Sequence, residues 1–153
     1  MTRLAGVLVA GLLSCNPSGS PGEDQAAVGE AEAIVSALSP TMAVRVAGDT
    51  VAFVLQVANG GPEAESLEFS SGQRYDFVVR DAAGAEIWRW SSDQGFIQAL
   101  GTETLEAGGV LEYEAQWLSS GQRGEYEAVG LLVSTSHPIE LTTPFVLGDS
   151  GGL

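Results

Sequence analysis

From Met42 onward the chain alternates apolar and polar residues with a period of two, and this pattern restricts it to half-buried β-strands. The clearest case sets Leu111, Tyr113, Ala115 and Trp117 against Glu112, Glu114 and Gln116. Val51, Phe53, Leu55 and Val57 repeat the pattern until Asn59-Gly60-Gly61-Pro62 stops it with turn residues. Leu67 and Phe69 follow, then Tyr75, Phe77 and Val79, and finally Ile139, Leu141, Phe145 and Leu147. Pro138 and Pro144 mark that last run as an edge strand or a broken one, because proline cannot donate to a ladder. Turn residues also fall at Asp81-Ala82-Ala83-Gly84, at Glu106-Ala107-Gly108-Gly109 and at Ser119-Ser120-Gly121-Gln122-Arg123-Gly124. Eight or nine short strands at this spacing predict a single all-β antiparallel sandwich, and 153 residues suffice for only one such domain. Gly124-Glu125-Tyr126 at a strand start has the form of a tyrosine corner, in which the Tyr hydroxyl bonds back to earlier backbone.

Charge narrows the function classes. The 20 acidic residues face six basic ones, all Arg, for a formal charge of -14. A nucleic-acid binder needs a basic face to displace counterions, so nucleic acid is excluded as a partner. The absence of Lys removes the Walker A loop, Schiff-base chemistry and a Ser-Lys dyad. One His and one Cys do not make a clustered metal site or a Cys-His nucleophile, so no cofactor, metal or catalytic residue is assigned and the chain reads as a non-enzyme. His137, before Pro138, reads as a solvated loop residue. Gly148-Asp149-Ser150-Gly151-Gly152 imitates the nucleophile motif of trypsin-like proteases, but that chemistry needs a His and an Asp from a preceding barrel. Residues 148–153 are therefore expected to be a disordered tail. Glu112 with Glu114, and Glu125 with Glu127, sit two apart on solvated strand faces.

The N-terminus reads as an export signal. Arg3 supplies a positive charge, and Leu4 to Leu13 is an apolar run of ten residues, half of the roughly 20 that span a bilayer. It ends in Leu12-Leu13-Ser14-Cys15, which resembles a bacterial lipobox. The expectation is a lipoprotein-type signal peptide at 1–14, with Cys15 lipidated and the protein secreted and held by its lipid at the membrane of the bacterial cell envelope. Residues 15–41, rich at first in Pro, Gly and Ser, read as a flexible tether, with room for one or two helical turns between Val28 and Leu38. The folded domain is expected over 42–147.

Ser71-Gly72-Gln73-Arg74-Tyr75-Asp76-Phe77, Gly84, Ile87-Trp88-Arg89-Trp90-Ser91, Phe96 and Gln98 together resemble the intracellular proteinase inhibitor family, the BsuPI type. The likeness continues through Leu105, Gly108, Trp117 and the Gly124-x-Tyr126 pair, with Ala107 where the family usually has Pro. The resemblance implies an immunoglobulin-like antiparallel β-sandwich and inhibition of a subtilisin-type serine protease. Joined to the export signal, it implies a cell-envelope lipoprotein with an inhibitor-like domain; the alternative is a non-inhibitory protein-binding or assembly module of the envelope.

A sandwich gathers its loops at two ends, so the candidate contact loops are 60–65, 70–74, 91–95 and 119–124. Gln73, Arg74, Trp88, Arg89 and Trp90 are the candidate partner contacts. The hairpin before the tryptophans admits two registers. A type I turn with a glycine bulge at Gly84 sets Asp81 opposite Ala85 and Val78 opposite Trp88, which puts both tryptophans on the face away from Tyr75 and Phe77. A shift by one residue sets Phe77 opposite Trp88 and turns the tryptophans into the core. The first register also pairs Arg80 with Glu86 but leaves Arg89 beside Phe77.

Overall fold

A computed structural model describes residues 36–148. The signal peptide, Cys15, most of the tether and residues 149–153 of the tail lie outside the described residues. Within them the chain is all-β: β1 (Leu38–Ala47), β2 (Thr50–Asn59), β3 (Glu65–Phe69), β4 (Tyr75–Asp81), β5 (Glu86–Arg89), β6 (Gly101–Leu105), β7 (Val110–Leu118), β8 (Gly124–Leu132) and β9 (Ile139–Leu147). A single 3₁₀ turn, Trp90–Asp93, follows β5. One sheet has the order β1-β2-β7, a second β5-β4-β8-β9, and β3 pairs with β6 in a third, all antiparallel. This is the expected antiparallel sandwich.

The alternation fixes which faces meet. Val51, Phe53, Leu55 and Val57 of β2 are fully buried, and Phe77 and Val79 of β4 approach them from the other sheet. Phe53 stacks against Phe77 with centroids 5.6 Å apart and meets the edge of Phe145 at 6.2 Å. Trp117 on β7 is 6% exposed, on the inward face its alternation requires. Aromatic and branched side chains thus fill the space between the sheets.

The domain starts earlier than expected. Leu38 is buried and residues 38–41, read as the end of the tether, belong to β1. Pro40 hid the strand from sequence reasoning, yet it is harmless there because β1 is an edge strand bonded only to β2, where Pro40 pairs with Val57. Pro144 is accommodated in the same way on β9, the outer strand of its sheet. The tyrosine corner is present: the Tyr126 hydroxyl donates to the Arg123 carbonyl at 3.0 Å.

Candidate functional site

The turn 81–85 forms as the glycine-bulge register requires. Gly84 has a φ of +82°, its N–H donates to the Asp81 carbonyl at 2.9 Å, and the Asp81 N–H donates to the Ala85 carbonyl at 2.9 Å. Arg80 accordingly pairs with Glu86, but a second irregularity follows between Val79 and Arg80. It leaves Ile87 as the extra residue and sets Trp88 opposite Val79 and Arg89 opposite Val78. Neither simple register is therefore the whole answer. The turn belongs to the first, and the inward tryptophan to the second.

This bulge decides what the aromatic cluster does. Trp88 stacks on Phe53 at 5.7 Å and tilts against Trp117 at 6.3 Å. Trp90 stacks on Tyr75 at 4.3 Å, Tyr75 in turn stacks on Tyr113 at 4.6 Å, and Phe96 closes over Trp90 at 5.9 Å. Both tryptophans are half-buried and pack on the core, so they extend it to its rim. Burial raises the Tyr113 hydroxyl above its ordinary value of 10.0, with the Glu103 carboxylate adding to the effect, and burial raises Tyr75 in the same direction.

Arg89 points the other way, where an outward residue of β4 is buried beside it. Asp76 is 2% exposed, and its carboxylate is fully engaged. Oδ2 accepts from Arg89 Nη1 at 2.8 Å and from the Ser91 hydroxyl at 2.6 Å, while Oδ1 accepts from the N–H groups of Phe77 and Ser91 at 2.9 and 3.1 Å. Arg89 also holds Glu86 through a second pair of contacts, at 2.9 and 2.7 Å. These charge-assisted bonds, first to Glu86 and then to Asp76, raise the guanidinium pKa, and the Arg89 bond lowers that of Glu86. Arg89 thereby fastens β5 to β4, and the Asp76 carboxylate holds the start of the 3₁₀ turn through Ser91.

Arg74 does comparable work on the next connection. Its Nε lies 2.8 Å from Glu103 Oε1, its Nη1 donates to the Ser71 carbonyl at 2.8 Å, and the guanidinium sits over Phe69 at 4.3 Å. A Cβ on Gly101 would come within 2.7 Å of Arg74 Nη2, so the guanidinium packs directly against the backbone where β6 begins. Gln73 Nε2 donates to the Tyr75 carbonyl at 3.1 Å. Of the expected contact residues, Gln73, Arg74, Trp88, Arg89 and Trp90 all brace the connections around β4 and β5.

Trp90, through Phe96, and Arg74, beside Gly101, flank the connection 94–100, which belongs to no strand or helix. The Gly72 N–H donates to the Ile97 carbonyl at 2.8 Å, which ties this connection to the 70–74 loop. Ile97 and Leu100 are 74% and 88% exposed, the highest values for a large hydrophobic side chain among the described residues. Sequence reasoning placed the contact loop at 91–95 and stopped short of them.

The 119–124 loop stands apart. It follows Leu118, which pairs with Thr50, whereas the 70–74 loop leads into Tyr75, which pairs with Leu132 at the opposite end of β8 from Gly124. His137, expected in solvent, is half-buried: Nδ1 lies 3.0 Å from the Ser136 hydroxyl and Nε2 lies 3.5 Å from Glu65 Oε2. The Ser136 oxygen also accepts the Glu68 N–H at 3.0 Å and donates to the Ser66 carbonyl at 3.2 Å. The arrangement stitches the β8–β9 connection to β3. Among the described residues no group of three or more His, Cys, Asp or Glu is placed to hold a metal ion.

Comparison with known proteins adds the family. The BsuPI model, described as intracellular proteinase inhibitor, matches residues 38–137, from the first residue of β1 to the connection before β9. No curated protein matches the chain. Among solved structures, the putative ApaA protein from Bordetella pertussis is 15% identical, with 75% of this chain and 95% of that one covered and a TM-score of 0.41. A penta-heme cytochrome c552 from Thermochromatium tepidum is 10% identical over 72% of this chain and 40% of that one, with a TM-score of 0.46. β-Glucosidase 3B from Thermotoga neapolitana is 17% identical over 75% of this chain and 16% of that one, with a TM-score of 0.42. The family match corrects one expectation. An inhibitor described as intracellular conflicts with secretion and a lipid anchor on the cell envelope, the location inferred from the apolar N-terminus and Cys15.

Proposed function

Because the chain belongs to the intracellular proteinase inhibitor family, we propose that it blocks a subtilisin-type serine protease by laying part of one loop-bearing end of the sandwich across the protease's substrate cleft. Family membership implies a protease as partner and carries the reading; the subtilisin class comes from the resemblance of residues 71–91 to the family's namesake. Fold alone would not support it, since sandwiches host many unrelated activities. The physical support is preorganisation. Arg74 and Arg89 are committed to internal bonds on the two sides of β4, so the connections they hold lose little conformational freedom on binding.

The test is a titration of a purified subtilisin with the full-length chain, following residual hydrolysis of a chromogenic peptide. Inhibition that reaches a stoichiometric end point is expected. A protease that keeps full activity at micromolar concentrations of the chain would remove this reading and leave a non-inhibitory protein-binding module in its place.

A further inference from the structure

Among the described residues, seven large hydrophobic side chains are exposed: Val46, Ile87, Ile97, Leu100, Val110, Leu118 and Val146. Five of them sit on β1, β5, β7 or β9, where the backbone is held by a sheet. Ile97 and Leu100 alone lie in a connection, and they are also the most exposed of the seven. Exposing two such side chains within four residues costs free energy in water, a cost that disappears when a partner buries them.

The connection is tethered on both sides of this pair. Before it, the Ile97 carbonyl takes the Gly72 N–H, and Phe96 rests on Trp90. After it, Gly101 enters β6 opposite Phe69, with Arg74 packed against its backbone. Residues 97–100 thus form a short span between two fixed points. That is the form a protease cleft can accept as a substrate-like segment without paying to order it.

We propose that residues 97–100 are the segment that enters the cleft of the target protease, with the Leu100 side chain filling its primary specificity pocket. The assignment rests on the inhibitor reading above. Leu100 is preferred to Ile97 because it is the more exposed, and because Ile97 is held against the neighbouring loop, its Cγ1 2.9 Å from where a Cβ on Gly72 would stand. The absence of charge from 94–100 defines the partner: its pocket is apolar, since a pocket built for Arg or Lys would find neither in this segment.

The experiment compares the full-length chain with Leu100→Asp, Leu100→Arg and Leu118→Asp. Leu118 is 68% exposed and next to the 119–124 loop, so its variant controls for the general effect of removing surface apolar area. With subtilisin as the probe, Leu100→Asp raises Ki by roughly 30-fold or more, as loss of a central anchor does, and leaves the melting temperature unchanged. Leu118→Asp changes neither. Leu100→Arg loses subtilisin and gains inhibition of trypsin, whose primary pocket carries a carboxylate. If the unmodified chain inhibits subtilisin and Leu100→Asp does so equally well, or if Leu118→Asp weakens it as much, this assignment falls while the inhibitor reading stands. If the unmodified chain leaves subtilisin fully active, the inhibitor reading fails first and takes the assignment with it.

Discussion

Arg89 Nη1 lies 2.8 Å from Oδ2 of the buried Asp76, a contact between neighbouring strands that also fixes the start of the 3₁₀ turn through Ser91. Asp76 satisfies two backbone N–H groups and a hydroxyl besides the guanidinium, so the cost of losing it exceeds that of an exposed ion pair. Asp76→Ala should destabilise the domain by about 3 kcal/mol. Arg89→Ala, which leaves the buried carboxylate without its counter-charge, should cost about 2 kcal/mol, less because the guanidinium is itself partly in water. The double variant should cost clearly less than the two together, because the same contact is counted in each. Urea unfolding of the three proteins measures this; strict additivity would mean that the pair does not couple.

The strands were legible because burial on one face forces a period of two, and β2 and β7 obey it almost residue by residue. Three features were not. The bulge at Ile87 adds one residue without any glycine or proline to announce it, so the inward face of the tryptophans could not be read from spacing. Asp76 occupies the outward phase of β4, where a carboxylate normally meets water; it is buried there with Arg89, thirteen residues on, and Ser91, fifteen on, bonded to it, partners that no local spacing reports. The start of β1 was hidden by Pro40, whose edge position depends on pairing that no local pattern reports. The candidate site followed the same logic. Gln73, Arg74, Trp88, Arg89 and Trp90 stood out by residue type, which does not report the internal bonds and ring contacts that each of them makes.

Alkaline pH should loosen the aromatic row at the rim of the core. The pKa of Tyr113 is raised by burial, with Glu103 3.4 Å from its hydroxyl, so the folded state favours the neutral phenol. A group whose pKa is raised on folding contributes stability that is present below the unfolded value, here 10.0, and is lost as the pH rises through the folded one. The melting temperature of the unmodified protein should therefore fall above about pH 10, and that of Tyr113→Phe should fall less over the same range. Melting curves of the two proteins across that range provide the check. Parallel declines would assign the alkaline loss to other groups.

Gly72 offers a way to move the exposed connection without touching its side chains. A Cβ there would stand 2.9 Å from Ile97 Cγ1 and 3.4 Å from the Ile97 nitrogen, so even alanine requires the Ile97 side chain to shift. Part of that strain can be relieved by rotating the Ile97 side chain, and the overpacking should cost about 1 kcal/mol. Gly72→Ala should also lengthen the bond from the Gly72 N–H to the Ile97 carbonyl, which anchors the span that ends at Leu100. Inhibition of subtilisin should accordingly weaken by several-fold, well beyond what a drop in stability of this size would cause in a protein that stays folded at the assay temperature. Ki and the melting temperature, measured on Gly72→Ala beside a Gly95→Ala variant with open space around its Cβ, separate the two effects. A Gly72→Ala protein that inhibits as well as the unmodified chain would show that the position of residue 97 does not govern binding.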